Sequence, residues 1–351
     1  MKSADLEFYI QELSKGNPVT GQDAEHFLDV LLSETDVERI LRLLSVWDAK
    51  GFDADELTSL AKVMQKRAVK ILHDFPALVD IVGTGGSKAK TFNVSTAAAI
   101  IAAATGIKVA KHGNRAASSR TGSADVLTEL NVFISLEPDE AAECLDSVGM
   151  AFLFAPKFHS LSPSLAEARR KLGKPTIFNC LGPLLNPASA NYRLIGVWKI
   201  DLLQQMSKAL MNLGTTKSVI VHGADGLDEI TLSGETYFAE VSNGTITYGQ
   251  IIPEDFGIKR RPLDNIRVSS AKQSAQVIRA IFSDAHNELT DAKSIAVMNA
   301  AFALRLLKGE FSTKEAFRIA LDAIESGKAK QTLDSLVNFT ASVQQKNLYK
   351  K

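Results

Sequence analysis

Residues 80–127 read DIVGTGGSKAKTFNVSTAAAIIAAATGIKVAKHGNRAASSRTGSADVL, and this stretch decides both the fold and the site. It begins inside a short apolar run, 78–82, which is typical of a β-strand, and continues into the glycine-rich turn GTGG at 83–86. A polar run at 91–96 then leads into an Ala-rich helix predicted over 94–105. A strand followed by a glycine turn and a helix start is typical of sites that bind phosphate groups.

Three more strands are predicted along the chain, at 107–110, 151–155 and 218–222. Strands that alternate with helices indicate a largely parallel sheet, in which ligands bind at the carboxyl ends of the strands. The polar loops of interest all follow predicted strand ends. We therefore expect them to meet in one site.

The first 75 residues contain helical patterns and no strand pattern. The segment at about 160–185 resembles them and is expected to pack onto them, and prolines are expected to break the chain at 183–187. The predicted fold class is α/β, with a small all-helical domain and a larger α/β domain that has a mostly parallel central sheet. The helical domain would comprise 1–75, and the α/β domain 76–159 and 186–351.

The composition argues against several classes of function. The chain has 40 Lys and Arg against 40 Asp and Glu, so it lacks the excess of cations that general nucleic-acid or membrane-surface binding requires. No segment reaches the ~20 apolar residues of a membrane span, and the N-terminus has no signal core. The two cysteines, Cys144 and Cys180, are predicted to be buried thiols in a reducing cytoplasm.

The residues after the first strand suit a ligand with more than one phosphate group. Glycines let backbone N–H groups approach a ligand, a helix N-terminus adds unpaired donors, and Lys111 and Arg115 add positive charge. Four small polar side chains surround the helix start, namely Thr91, Asn93, Ser95 and Thr96. A helix requires only one cap residue, so the surplus favours phosphate or metal binding over a turn without a ligand.

Residues 225–229, DGLDE, offer three carboxylates after the last predicted strand. Adjacent Asp228 and Glu229 facing a polyphosphate would hold Mg²⁺, which needs only one or two carboxylates besides substrate oxygens. The alternative is a solvated turn. No Cys or His spacing matches a zinc site.

Two further residues have both a functional and a structural interpretation. Arg169 is suited to a carboxylate substrate, but it could instead pair with Glu167 or cover apolar surface. His112 is a possible catalytic residue, although a lone histidine is more often a hydrogen-bonded structural one.

On these motifs the chain resembles the anthranilate phosphoribosyltransferase family over nearly its whole length. The motifs are GTGG at 83–86, TFNVST at 91–96, KHGNR with SS and GSADVL at 111–127, RRKLG to LGPLLNP at 169–187, and HGADGLDE at 222–229. The resemblance implies a small helical domain joined to a larger α/β domain, in a homodimer formed through the helical domains. It implies the transfer of phosphoribose from phosphoribosyl pyrophosphate to the amine of anthranilate, a step of tryptophan biosynthesis that releases pyrophosphate.

The resemblance also assigns site residues and two Mg²⁺ ions per subunit. The donor site would comprise Gly83, Gly86, Ser87, Thr91, Asn93, Val94, Ser95, Thr96, Lys111, His112, Gly113, Asn114, Arg115, Ala116, Ala117, Ser118, Ser119 and Ser123. Anthranilate would contact Gly83, Asn114 and Arg169, and the metal ions would contact Ser95, Asp228 and Glu229.

The chain departs from the family pattern at three places. Ser87 stands where the family usually has Asp, which removes a negative charge beside the donor and the metals. Residues 160–162, SLS, replace Pro-Ala-Met at the acceptor entrance, and Leu185 replaces a common Thr. The acceptor is therefore less firmly specified than the donor.

Three alternatives follow from these observations. One is a related phosphoribosyltransferase with another aromatic acceptor. Pyrimidine nucleoside phosphorylases are less favoured, because their Lys-x-Ser-Gly-Arg loop differs from KHGNR at 111–115. A nucleic-acid-binding relative without enzymatic activity is disfavoured by the zero net charge and by the intact Asp228 and Glu229.

Overall fold

The computed structural model describes residues 5–87, 89–116, 121–283 and 290–349. In these ranges the chain forms fifteen α-helices, two short 3-10 turns and seven strands. The helices are α1 (Leu6–Ser14), α2 (Asp23–Ser33), α3 (Val37–Lys50), α4 (Ala54–Arg67), α5 (Val94–Ala104), α6 (Ser123–Glu129), α7 (Pro138–Val148), α8 (Ala155–Phe158), α9 (Pro163–Leu172), α10 (Ile177–Leu184), α11 (Leu202–Asn212), α12 (Ala271–Ser283), α13 (Asp291–Leu307), α14 (Thr313–Glu325) and α15 (Lys328–Tyr349). The strands are β1 (Val79–Gly83), β2 (Val109–Gly113), β3 (Met150–Phe154), β4 (Tyr192–Gly196), β5 (Lys217–Gly223), β6 (Thr236–Ser242) and β7 (Thr245–Ile251).

The strands form one sheet in the order β3-β2-β1-β4-β5-β6-β7. The first five are parallel to one another, and β6 and β7 add an antiparallel pair at one edge. The predicted α/β class with a mostly parallel sheet is therefore confirmed. Because β1, β2, β4 and β5 run the same way, their carboxyl ends and the loops that follow lie along one edge.

The four predicted strands are present, but β2 extends further than predicted. It runs from Val109 to Gly113, and Lys111 and His112 pair with Phe152 and Leu153 of β3. The expectation that a loop begins at Lys111 is therefore wrong. Both side chains are buried in the sheet, where the Lys111 ammonium group and His112 Nδ1 find polar partners within the protein.

Strands β4, β6 and β7 were not predicted. β6 and β7 form a hairpin through Asn243 and Gly244, which both have positive φ angles, of 50° and 72°. Asn-Gly is a strong sequence signal for such a hairpin, because both residues tolerate the left-handed conformation. β4 has only five residues and follows a proline-rich segment, so its pattern is weak.

The N-terminal helices begin and end at residues with clear local causes. Asp36 and Asp53 accept hydrogen bonds from the first backbone N–H groups of α3 and α4. Gly51 ends α3 with a positive φ of 79°. Helix α10 includes Pro183 and ends at Leu184, inside the segment 183–187 where a break was predicted; a proline in the last turn of a helix removes only one backbone bond.

Helices α9 and α10 pack on α3 and α4, so the segment around 160–185 lies against the N-terminal helices. The two faces of the sheet belong to different hydrophobic cores. Ile195 and Ile220 share a core with α1–α4, whereas their sequence neighbours Leu194 and Val219 face the core built around α5 and α13. The exact division of the chain into two domains stays a prediction.

No helix in the described ranges is long and apolar enough to cross a membrane. Cys144 and Cys180 are both buried free thiols, as predicted.

A buried ion pair fastens the helical part of the chain. Glu56 of α4 is completely buried and accepts hydrogen bonds from Lys50 Nζ at 2.6 Å and from the Val19 backbone N–H at 3.0 Å. Lys50 also donates to the Gly51 carbonyl at 3.1 Å. Removal of the lysine would leave a carboxylate buried without its counter-charge.

We therefore predict that Lys50→Met lowers the free energy of unfolding by about 3 kcal/mol. Urea unfolding followed by circular dichroism would measure it. Lys171→Met is the matched control, because Lys171 contacts Glu38 at 3.0 Å with both side chains exposed, and such pairs contribute little. An equal loss in the two variants would contradict the importance of the buried pair.

Candidate active site

A cavity of about 470 Å³ lies between the carboxyl edge of the sheet and helices α4, α9 and α10. It brings together most of the site residues predicted from the sequence. These are Gly83, Gly86, Ser87, Thr91, Asn93, Ser95, Lys111, His112, Gly113, Asn114, Arg115, Ala116, Ser123, Arg169, Asp228 and Glu229.

Val94 and Thr96 are not among the lining residues, although the resemblance places them in the donor site. Both are fully buried. Asn93 caps α5 by accepting a hydrogen bond from the Thr96 backbone N–H at 3.1 Å, and the Thr96 hydroxyl bonds to the same oxygen. Part of the apparent surplus of polar groups is thus used for capping. Ala117, Ser118 and Ser119 lie outside the described residues.

The two adjacent carboxylates face the cavity and are held by backbone donors. Asp228 Oδ2 accepts from the Gly85 N–H at 3.1 Å, and Glu229 Oε1 accepts from the Ser95 N–H at 2.9 Å. Burial raises the pKa of both groups, and the Asp228 charge further raises the pKa of Glu229. A bound cation would relieve both effects, because it favours the ionised forms.

The donor set of this loop suits a hard cation such as Mg²⁺, which binds oxygen ligands. Among the described residues, no group of three or more His, Cys, Asp or Glu side chains is arranged to hold a metal. Asp228 and Glu229, with the Ser95 hydroxyl, would thus supply only part of a coordination shell. The remaining positions fit water or substrate oxygens.

The position of this loop depends on close packing against β4. A Cβ atom at Gly196 would lie 1.4 Å from the Asp228 carbonyl oxygen, so only glycine fits there. Asn299 of α13 fixes Ile230, the residue after Glu229. Its Oδ1 accepts from the Ile230 N–H and its Nδ2 donates to the Ile230 carbonyl, each at 3.0 Å. The third acid, Asp225, accepts from the hydroxyls of Thr231 and Ser233 and stabilises the turn itself.

Lys111 balances the carboxylates from inside the sheet. It is 1% exposed, and its ammonium group donates to the Ile81 carbonyl and, at 3.2 Å, to the Ser95 hydroxyl. Burial lowers its pKa to about 8, although the charges of Asp80 and Glu229 oppose this shift. Lys111 is therefore part of the support of the site as well as of its wall.

Arg115 is already paired within its own loop. Its guanidinium lies 2.9 Å from Asp125 and over the Phe154 ring at 5.9 Å. Asp125 also accepts from the Ala116 and Gly122 N–H groups, each at 3.0 Å. The carboxylate therefore holds together Ala116 and Gly122, which both line the cavity.

The His112 ring is neutral and has an unused acceptor. Its Nδ1 lies 3.2 Å from the Gly182 carbonyl oxygen, which only accepts, so Nδ1 carries the hydrogen. Burial lowers the pKa of His112 to about 3, which leaves Nε2 with a free lone pair. This nitrogen is buried and has no hydrogen-bond partner in the described structure.

His159 lies beside it and was not singled out from the sequence. The two rings are 5.2 Å apart, and His159 Nε2 bonds to the Leu185 carbonyl at 2.9 Å. Burial also lowers the pKa of His159. A lone histidine after a predicted strand gave no signal that it would meet His112.

Arg169 projects from α9 into the opposite side of the cavity. Its Nη2 donates to Asn179 Oδ1 at 3.2 Å, and its guanidinium lies over the Phe178 ring at 5.6 Å. Burial lowers its pKa to about 10, so it remains charged at neutral pH. Glu167, considered above as an alternative partner of Arg169, instead places its Oε1 3.8 Å from Lys171 Nζ.

Asn179 joins this side of the cavity to the glycine turn. Its Nδ2 donates to the Thr84 carbonyl at 3.0 Å while its Oδ1 accepts from Arg169. Phe178 and Asn179 belong to the quoted 169–187 motif but received no role from the sequence. Met64, Leu161 and Leu181 are further lining residues of this apolar side.

Ser87 connects two loops of the donor side. Its hydroxyl donates to the Gly226 carbonyl at 3.0 Å and accepts from the Ala89 N–H at 3.3 Å. Where the family usually has an aspartate carboxylate, this chain thus has an uncharged Ser87 hydroxyl that hydrogen-bonds the glycine turn to the 225–229 loop. At the second departure, residues 160–162, Ser162 caps α9 by accepting a hydrogen bond from the Leu165 N–H at 3.1 Å.

Comparisons with known proteins agree with this geometry. A family model described as "Glycosyl transferase family, a/b domain" matches residues 76–330. Anthranilate phosphoribosyltransferase of Clostridium kluyveri is 40% identical over 331 residues, which cover 94% of this chain and 98% of that protein. The enzyme of Symbiobacterium thermophilum is 37% identical over 332 residues, with 94% and 96% covered.

Solved structures of the same enzyme superpose along the chain. The structure from Thermus thermophilus has a TM-score of 0.84 at 34% identity and covers 95% of this chain and 99% of its own. The structure from Saccharomyces cerevisiae in complex with PRPP and Mg has a TM-score of 0.88 at 26% identity, with 97% and 100% covered. The resemblance inferred from the motifs is confirmed, and the chain belongs to the anthranilate phosphoribosyltransferase family.

Proposed function

We propose that this chain transfers phosphoribose from phosphoribosyl pyrophosphate to the amine of anthranilate, giving N-(5-phosphoribosyl)anthranilate and pyrophosphate. One observation carries the proposal. A single cavity has paired carboxylates and a glycine turn on its sheet side and a half-buried arginine on its helical side, and His112 and His159 also line it. The first side suits a metal-bound polyphosphate, and the second suits an aromatic amine that bears a carboxylate.

The donor would bind along the sheet edge. The glycine turn at 83–86, the start of α5 and the loop after β2 line this part of the cavity. Backbone N–H groups near a helix N-terminus suit phosphate oxygens, since they add donors and the positive end of the helix dipole. The proposed donor residues are Gly83, Gly86, Ser87, Thr91, Asn93, Ser95, Lys111, Gly113, Asn114, Arg115, Ala116 and Ser123.

Two Mg²⁺ ions per subunit would be held by Asp228, Glu229 and Ser95. The observation that fits them is the pair of cavity-facing carboxylates whose pKa values are raised by burial and, for Glu229, by the neighbouring acid. When bound, Mg²⁺ supplies positive charge that stabilises pyrophosphate as a leaving group. The chain's own part is to fix these oxygens through the Gly85 and Ser95 N–H groups.

The acceptor would bind on the helical side. The Arg169 guanidinium is suited to the anthranilate carboxylate, and the nearby Phe178 ring provides an apolar surface for its aromatic ring. Gly83 and Asn114 complete the proposed contacts. The His112 ring lines the cavity, and its Nε2 is buried without a partner in the described residues, so it would receive a hydrogen bond, and then a proton, from an amine that bound against the ring as the new C–N bond forms.

Catalysis by this arrangement would rest on positioning and on charge stabilisation. Departure of pyrophosphate leaves positive charge on the ribose carbon, which a neutral aromatic amine attacks. Two hydrogen bonds through Asn179 link Arg169 to the Thr84 carbonyl, and so join the acceptor side of the cavity to the donor side. Small relative movements of these parts would bring the reactants together and exclude water.

We further propose a cytoplasmic homodimer formed through the helical domain, in tryptophan biosynthesis. The support for the dimer is the family resemblance of the motifs given above. Equal numbers of acidic and basic residues favour small-molecule substrates over a nucleic-acid partner.

The decisive experiment follows the fluorescence of anthranilate with the purified chain, phosphoribosyl pyrophosphate and Mg²⁺. We expect fluorescence to fall and pyrophosphate to appear in equal amounts. No loss of anthranilate, or turnover only with another aromatic amine, would overturn the proposed acceptor. Omission of the donor and omission of Mg²⁺ are the controls.

Arg169→Ala should raise the KM for anthranilate more than the KM for the donor. The loss of one charge-assisted contact is expected to cost about 1.5–3 kcal/mol, or roughly ten- to hundredfold in kcat/KM. Steady-state kinetics with each substrate varied would measure it. Arg170→Ala is the matched control, because Arg170 is exposed on the same helix. An unchanged KM for anthranilate in the Arg169 variant would refute the assigned contact.

Asp228→Asn combined with Glu229→Gln should abolish turnover that depends on Mg²⁺. The substitutions keep the size of both side chains but remove the negative charges that attract the cation. Titration with Mn²⁺ followed by electron paramagnetic resonance should show the loss of binding independently of activity. Glu254→Gln, an exposed acid outside the cavity, is the control. Retained Mg²⁺-dependent activity in the double variant would contradict the metal site.

A further inference from the structure

Asp80 is a buried carboxylate directly behind the cavity that the proposed mechanism does not use. It lies in β1, three residues before Gly83, and is completely buried. Its Oδ1 accepts from the His112 backbone N–H at 3.2 Å, and its Oδ2 accepts from Asn186 Nδ2 at 2.8 Å. A buried carboxylate is costly unless it is hydrogen-bonded and its charge is balanced, so these contacts are the first clue to its role.

Asn186 connects three segments of the chain. Its Nδ2 donates to Asp80 of β1 and, also at 2.8 Å, to the Ala110 carbonyl of β2. Its Oδ1 accepts from the Ala188 N–H at 3.0 Å, which fixes the turn after α10. The side chain is 6% exposed, so these are protein contacts made away from solvent.

These contacts close a ring around His112. Asp80 holds its backbone N–H, and the Gly182 carbonyl of α10 holds its Nδ1. Asn186, two residues after the end of α10, returns to Asp80. Asp80 thus fixes the backbone of His112 directly, and Asn186 ties to Asp80 the segment after α10, the helix whose Gly182 carbonyl holds the ring.

We propose that Asp80 and Asn186 are a pair of positioning residues that hold the His112 ring in the wall of the cavity, where the acceptor amine would bind against it. Neither residue lines the cavity, so neither touches substrate. They act by joining β1 and β2, which carry the donor side, to the end of α10, which carries the acceptor side. This inference rests on the proposed function.

The charges around Asp80 agree with this role. Burial raises its pKa to about 6, while Asn186, Lys111, the His112 N–H and Arg193 favour the ionised form. Arg193 lies directly opposite Asp80 in the register of β1 and β4. At neutral pH the carboxylate is therefore ionised and accepts both hydrogen bonds.

The chain contains a matched control for this pair. Asn191 fastens the same segment to β1, but at the opposite end of the strand. Its Oδ1 accepts from the Leu78 N–H at 2.9 Å, and its Nδ2 donates to the Pro76 carbonyl at 3.1 Å. It therefore supplies comparable hydrogen bonds at the edge of the sheet away from the cavity.

The test compares Asn186→Ala with Asn191→Ala in steady-state kinetics, together with thermal unfolding of each variant. We expect Asn186→Ala to lower kcat/KM for anthranilate by about ten- to hundredfold, since misplacement of a catalytic group by an ångström has effects of this size. The KM for phosphoribosyl pyrophosphate should change little. Asn191→Ala should lower the unfolding temperature without this selective effect.

Asp80→Asn serves as a second variant of nearly identical shape. It leaves an oxygen for the His112 N–H but places an amide N–H group opposite the amide of Asn186, so the same selective loss is expected. Equal kinetics of Asn186→Ala and wild type would overturn the inference, as would equal losses in the two asparagine variants. If neither Asp80→Asn nor Asn186→Ala folds while Asn191→Ala does, the pair is structural and the inference is also overturned.

These outcomes are distinct from a failure of the proposed function. If the wild-type chain shows no turnover of anthranilate, the proposed function fails. If the wild type is active and the Asn186 variant is unaffected, only the positioning role fails.

Discussion

The site depends on keeping two adjacent carboxylates at the edge of a β-sheet, partly removed from water. Loss of hydration raises the pKa values of both Asp228 and Glu229, and the Asp228 charge further raises the pKa of Glu229. The surrounding protein opposes this with fixed donors and a buried cation. The Gly85 and Ser95 N–H groups bond to the carboxylates, and the Lys111 ammonium group lies next to Ser95. The rest of the cavity is built on this balance.

The helical part of the chain gives this edge a second wall. Because α9 and α10 pack on α3 and α4, Arg169 is carried by a helical layer whose own core includes a buried ion pair. Helix α10 then touches both sides, since Asn179 bonds to Thr84 and the Gly182 carbonyl bonds to His112. The proposed donor and acceptor sides therefore belong to different layers of the same fold, and α10 contacts both.

The sequence predicted four of the five parallel strands and most of the cavity lining, because glycine turns and polar residues after apolar runs carry local signals. It did not predict that β2 includes His112, since the partners that make a buried lysine and histidine acceptable are distant in sequence. Ile81 and Gly182 supply them. His159 and Asn179 were missed for the same reason. The β6–β7 hairpin, by contrast, carried a readable Asn243-Gly244 signal.

The contact between β4 and the 225–229 loop has a consequence for the history of the chain. With the Asp228 carbonyl oxygen 1.4 Å from where a Cβ would stand at Gly196, every other amino acid collides with main chain and not with a movable side chain. Gradual substitution through small residues is excluded at position 196, because even alanine would displace the 225–229 loop. A lineage that loses this glycine also loses the placement of Asp228, so only descendants that no longer need the proposed metal site are free to vary there.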